Sequence, residues 1–242
     1  MQLLIGHGQV PTIMPEASKN TRDKGRKNMI LVKPEVEIID MADYSDILRK
    51  IEKIGRVCYK SEDRIQNDSA EKFIAGIITR GHESVIEHES VSVKVICDRG
   101  VTHEIVRHRV ASYSQESTRY CNYSKEKFHS QISVIDISTG FSYDMGNPVD
   151  YQKYEIWREA MENAEKSYFR MIEAGASPQE ARSVLPNSLK TELVMTMNLR
   201  EWRHFFKLRL ANGAHPQMKE VSKLILEVFR QKLPVFFDDI EE

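Results

Sequence analysis

The sequence has no apolar run near the roughly 20 residues that cross a bilayer, so a membrane-spanning protein is not expected. It has only three cysteines, Cys58, Cys97 and Cys121, an odd number without CxxC spacing. A disulfide framework and a zinc knuckle are both poorly supported, and a reducing cytoplasm is the simplest compartment. Neither charge sign is in excess: 35 Lys and Arg face 36 Asp and Glu, for a formal net charge of −1. A global nucleic-acid binder is usually basic, so no nucleic-acid partner is expected. The N-terminus lacks the basic start and apolar core of a secretory signal. No Gly-x-Gly-x-x-Gly follows any predicted strand, which leaves no Rossmann-type nucleotide site in view. Internal repeats and low-complexity blocks are also missing.

What is present suits a soluble domain of 242 residues, 40% hydrophobic and 29% charged, long enough to bury a sizeable core. Residues 1–35 mix Gly, Pro, Lys and Asn without a sustained period and read as an N-terminal extension; residues 36–242 read as a single domain. EVEIID, from Glu35 to Asp40, alternates as a strand. Ile47, Leu48, Ile51 and Ile54 predict a helix over 44–58. Asp68 and Glu71 resemble a capping box opening a helix through Ile78, with Gly81 ending it. Val91, Val93, Val95 and Cys97 alternate as a strand. Residues 101–109 suit a short helix, 110–120 a loop, 131–137 a strand, and 150–173 a long helix. Pro178 suits the first turn of another helix. Residues 189–198 fit either a strand or a buried helix, and periodicity does not decide. Helices over 199–211 and 217–232 complete an α+β pattern.

The most unusual segment is RHRVASYSQESTRY, Arg107 to Tyr120. Arginine is well suited to forked phosphate binding, and serine and threonine hydroxyls donate to the same oxygens. Arg119 and Ser117 are the first candidates for a nucleotide phosphate. If 101–109 is helical, Glu104 lies one turn from Arg107 and His108 and can orient both. Two other readings of the loop stay open: a solvated surface, and an RNA-contacting loop in which Tyr113 and Tyr120 stack bases.

Arg107-His108-Arg109 followed after seven residues by Ser117 resembles the RHR-x7-S signature of flavin-dependent thymidylate synthases. GHESVIEH (81–88), ARSVLP (181–186) and NLREWRHFFKLR (198–209) resemble further motifs of that family, in the family's order. The resemblance implies an α+β fold with a mixed sheet and long helices. It implies a homotetramer with active sites at subunit interfaces. The reaction it implies is reductive methylation of dUMP to dTMP, with FAD reduced by NADPH and 5,10-methylenetetrahydrofolate as carbon donor; no metal is implied.

By the same resemblance, Ser84, Arg107, His108, Arg109, Gln115, Asn198, Arg200 and His204 contact the flavin. Glu104, Arg107, Gln115, Glu116, Ser117, Thr118, Arg119, Arg182 and Arg209 contact the nucleotide. Arg119 and Arg182 hold the phosphate. Arg209 is the catalytic residue, set against the pyrimidine to favour ionisation at N3 and so activate C5. Plainer readings stand beside these: His204 as a packed helix histidine, Arg209 as a helix-end arginine bonding terminal carbonyls, Cys121 as an inert cysteine. Some relatives carry other residues at the positions of Glu104, Ser114 and Gln115. A different class is a metal-dependent hydrolase using His82, Glu83, Glu87 and His88, and a variant within the family would install hydroxymethyl instead of methyl.

Overall fold

The structure is a computed structural model and describes residues 29–242. In chain order it contains β1 (Ile30–Val32), β2 (Glu35–Asp40), α1 (Tyr44–Tyr59), α2 (Ser69–Thr79), β3 (Ser90–Asp98), α3 (Arg99–Ile105), β4 (Ser112–Gln115) and β5 (Ser133–Ile135). It continues with α4 (Pro148–Glu173), α5 (Pro178–Ala181), β6 (Lys190–Asn198), α6 (Leu199–Arg209), α7 (Pro216–Lys232) and α8 (Pro234–Phe237). Short 3-10 turns at Glu83–His88 and Arg182–Val184 link these elements. Among the described residues no helix is long and apolar enough to cross a membrane.

The two nine-residue strands organise everything else. β3 and β6 pair antiparallel along their full length, from Ser90 opposite Asn198 to Asp98 opposite Lys190. Alternation sends Val91, Val93, Val95 and Cys97 of β3, with Thr191, Leu193, Met195 and Met197 of β6, into the interior. That settles 189–198 as a strand: its buried residues recur at period two, not at helical spacing. The outer face carries residues such as Ser92 and Thr196, whose hydroxyls meet at 2.8 Å. Against the inner face pack Ile47 and Ile51 of α1, Ile74 and Ile77 of α2, and the large aromatics of α6 and α7. Trp202 meets Phe229 edge-on with ring centroids 4.9 Å apart, and its indole N–H donates to the Val91 carbonyl at 3.2 Å. A second, smaller core forms where α4 covers Val134, Ile132 and Leu189 with Met161, Tyr168 and Phe169.

Each long strand runs into a helix with no residue between, and each junction is capped the same way. Asp98 Oδ1 accepts from Val101 N–H at 2.7 Å, and Asn198 Oδ1 accepts from Glu201 N–H at 2.9 Å. Because the strands are antiparallel, α3 and α6 start at opposite ends of the pair. From the end of α3 and the turn after it, Glu104 and His108 reach Arg209 and Glu201 at the two ends of α6, and this crossing of side chains builds the site.

Several expectations are corrected. The main sheet is not mixed: its order β2-β3-β6-β4 is antiparallel throughout, and the parallel pair β1-β5 is a separate two-stranded sheet. A parallel pair needs a long crossover, and here most of the sheet and its first helices lie between the two strands. The 110–120 loop contains β4, a polar edge strand that alternates Ser112 and Ser114 outward with Tyr113 and Gln115 half-buried. The Asp68–Glu71 capping box does not form; Asp68 makes no side-chain cap, and Glu71 accepts from Tyr44 Oη at 3.1 Å. Residues 1–28 of the expected extension lie outside the described residues, while the boundary after residue 35 falls inside packed structure, since Met29 is buried and Ile30–Val32 is paired.

Candidate active site

At the α3–α6 crossing, Arg209 donates Nη1–H to Glu104 Oε2 at 2.7 Å and Nη2–H to the Glu104 carbonyl at 2.7 Å. Its Nε–H donates to His108 Nε2 at 3.0 Å. The other ring nitrogen of His108 lies 3.1 Å from Glu201 Oε1. Since Nε2 accepts from a guanidinium that is always charged, the ring proton sits on Nδ1 and is donated to Glu201. Burial holds the His108 pKa below 6.5; the Arg209 charge adds to this and Glu201 opposes it. His108 is thus a neutral imidazole of one tautomer, fixed between an arginine and a carboxylate. Arg209 uses three of its five N–H donors here, so two remain for a ligand.

Beside this network is an open cleft of about 570 Å³ between the Glu83–His88 turn and α6, lined in part by Val110, Asn198, Arg200, Glu201, His204 and Lys207. A cleft of this size is in the range of cofactor sites. Asn198, Arg200 and His204 therefore line one cleft. Asn198 commits its side-chain oxygen to the α6 cap, and Arg200 pairs with Glu87 across the cleft. His204 is exposed and lies edge-on to His108 at 5.8 Å, so it is no packed core histidine. Ser84 is exposed on the turn, Arg109 is exposed beyond α3, and Arg107 is exposed with its Nε donating to the His103 carbonyl at 3.2 Å.

The nucleotide candidates divide. Gln115 points inward, its amide donating to Thr102 at 3.1 Å and Thr191 at 3.3 Å. Glu116 accepts from Tyr123 Oη at 3.2 Å and from Lys190 at 3.3 Å, and Thr118 is buried. Ser117 Oγ accepts from Arg119 N–H at 3.3 Å. Arg119 is exposed, its Nε donating to Gln179 at 3.2 Å, and Arg182, also exposed, follows Gln179 by three residues. Arg119 and Arg182 thus share one patch. Among the described residues no hydrogen bond or ion pair joins that patch to Arg209.

The metal-hydrolase set is dispersed among other partners: His82 meets Tyr59, Glu83 meets Arg203, and Glu87 meets Arg200. Another trio, His108, Glu201 and His204, has ligand-type atoms within 4.8 Å of one another. Both ring nitrogens of His108 are already engaged, so a metal there would have to displace Arg209 or Glu201. Cys121 is half-buried and burial raises its pKa, which fits the inert reading.

Glu201 and Arg203 were not foreseen as site residues, and Glu83 was weighed only as a metal ligand. The signal available for Glu201 was its place three residues after Asn198, the third position of a capped helix; that pattern marks a helix start and hides a contact with His108, 93 residues away.

The sequence profile of the family described as "Thymidylate synthase complementing protein" matches residues 40–235. The chain is 36% identical over 174 residues to a protein of Pyrococcus furiosus named "Flavin-dependent thymidylate synthase", covering 72% of this chain and 68% of that protein. Proteins of the same name from Geobacter sulfurreducens and Corynebacterium aurimucosum are 29% identical over 192 residues and 30% identical over 212 residues. These cover 76% and 84% of this chain, and 78% and 83% of the relatives. The matched stretch contains the cleft turn, the α3–α6 crossing and the Arg119 patch, and the chain belongs to the Thymidylate synthase complementing protein family.

Proposed function

We propose that this chain is a flavin-dependent thymidylate synthase, converting dUMP to dTMP with 5,10-methylenetetrahydrofolate as carbon donor and NADPH as reductant of FAD. The observation that carries this reading is the setting of Arg209: a charged guanidinium with two free donors, held by Glu104 and by neutral His108, whose other partner Glu201 lines a cofactor-sized cleft. The cleft residues fit a flavin dinucleotide. Arg200, Lys207 and the His204 ring offer donors to a pyrophosphate, and Val110, 63% exposed, offers apolar surface to a ring system. When bound, the reduced flavin supplies the hydride and the folate supplies the carbon.

The protein's own part is electrostatic. Arg209 faces the pyrimidine and stabilises negative charge developing at N3 and C5, without transferring a proton of its own. Glu104 and His108 hold the guanidinium plane against that task. Arg119, Arg182 and Ser117 bind the phosphate. Arg119 and Arg209 engage different partners within the chain, Gln179 for one and Glu104 with His108 for the other, and by the family resemblance a second copy completes each site in a homotetramer. Val106, Val110 and Tyr120, which flank both groups, are 43%, 63% and 76% exposed and would be covered by such an assembly. Its three free cysteines suit a reducing cytoplasm.

Purified protein mixed anaerobically with FAD, NADPH, methylenetetrahydrofolate and dUMP is expected to form dTMP. Formation of 5-hydroxymethyl-dUMP alone, or of no product by flavin-loaded protein, would overturn the assignment.

A further inference from the structure

The Glu83–His88 turn that walls the cleft is fastened to α6 at two points, Glu87 to Arg200 and Glu83 to Arg203. The second fastening is buried and has a third member. Arg203 is 2% exposed. Its Nε–H donates to Glu83 Oε1 at 3.0 Å, and its two Nη groups donate in parallel to Asp239 Oδ1 and Oδ2, each at 2.6 Å. Nη1 also donates to the Phe236 carbonyl. Burial works against the Arg203 charge, yet Asp239 and Glu83 hold its pKa above the ordinary arginine value. The same contact holds the Asp239 carboxyl below the usual carboxylate range.

Phe236 and Asp239 lie beyond residue 235, where the family match ends. The segment is tied down again farther on. Arg230 donates to Glu242 at 2.7 Å and to the Ile240 carbonyl, and Lys223 pairs with Glu242 at 3.3 Å. Glu83 in turn lines two clefts, the one described above and a neighbouring one of about 520 Å³ bounded by Arg203, Lys207, Asp239 and Ile240. Lys207, 3.7 Å from Glu83, stands at the boundary of both. The tail, a buried arginine and the cleft wall therefore form one connected chain of charges.

We propose that the C-terminal segment from Phe236 to Glu242 is a positioning latch, in which Asp239 acts through Arg203 to hold Glu83 and the wall of the flavin cleft in place. The inference rests on the reading of that cleft as the flavin site. A buried guanidinium needs charge compensation, and losing one of two carboxylates forces a rearrangement. With Asp239 gone, Arg203 has Glu83 as its one carboxylate, draws it inward from Lys207, and tilts the turn. A merely structural ion pair would lower stability and leave the cleft's affinity as it was.

The test is FAD titration of full-length protein, by quenching of flavin fluorescence, with thermal melting in parallel. Asp239→Ala is expected to raise the Kd for FAD about tenfold and Asp239→Asn about threefold, as for coupling between adjacent sites. In an Arg203→Met background Asp239→Ala should add nothing, because its route to Glu83 is missing. If Asp239→Ala fails to fold, Asp239→Asn still reports affinity, and hydrogen exchange over residues 83–88 reports whether the turn has loosened. Wild-type affinity in the folded variants, whatever their melting temperature, would overturn the latch alone. A wild-type protein that binds no FAD would overturn the flavin reading and the latch together.

Discussion

Arg209 and Glu104 meet twice, through the carboxylate and through the backbone carbonyl, each at 2.7 Å. A lysine has no fork with which to make both contacts and the third one to His108. Arg209→Lys and Arg209→Ala are each expected to lower kcat about 100- to 1,000-fold, the range for removing one charge-stabilising donor. FAD affinity should change little, because the cleft wall does not include Arg209. Turnover near wild type, measured as dTMP formed per active site, would remove Arg209 from the chemistry.

Arg119 is expected to act on the nucleotide and not on the flavin. Arg119→Ala should weaken dUMP binding about 10- to 100-fold, as for loss of a charge-assisted hydrogen bond. Isothermal titration with dUMP checks this; unchanged affinity would take Arg119 out of the phosphate site.

If Arg119 and Arg209 of different copies share each site, two impaired variants can complement. Arg119→Ala and Arg209→Ala protomers, unfolded together and refolded as a mixture, are expected at subsaturating dUMP to synthesise dTMP faster than either does alone. A mixture no faster than its parts, with mixed oligomers confirmed by native mass spectrometry, would place both arginines in one chain's site.

His108 also makes a stability prediction. Its folded pKa is depressed below the 6.5 of a free histidine, so the unfolded chain binds more protons below that pH. The neutral ring contributes stability that is present above pH 6.5 and is lost as pH falls through the lower, folded value. Urea midpoints at pH 7.5 and 5.5 should therefore differ less in His108→Asn than in wild type. An equal or larger difference in the variant would contradict a buried neutral His108.

The α+β character and most helices were legible because their signals are local. Period two in Val91 to Cys97, period 3.6 in Ile47 to Ile54, and a proline at the start of α5 and α7 each need no distant partner. β4 was not legible, since an edge strand of Ser112, Tyr113, Ser114 and Gln115 looks like a polar loop until β6 is beside it. Nor was the separate parallel pair, which depends on where the chain returns after β4. That Arg200 and His204 share one helix face was readable from their spacing of four, and Asn198 joins them in lining the cleft. The direction of Gln115 was not readable from the motif, since its inward partners Thr102 and Thr191 lie on other elements. Glu201 and Asp239 were hidden because their partners, His108 and Arg203, are distant in sequence.

On the proposed reading, one site holds a flavin and a pyrimidine nucleotide in contact, with Arg209 facing the base. Titration of dUMP into FAD-loaded, oxidised protein reads this directly through the flavin absorption bands. A saturable shift in wild type, lost in Arg119→Ala at the same dUMP concentration, is the predicted result. Flavin bands that do not respond to dUMP, in protein shown by calorimetry to bind it, would contradict the account.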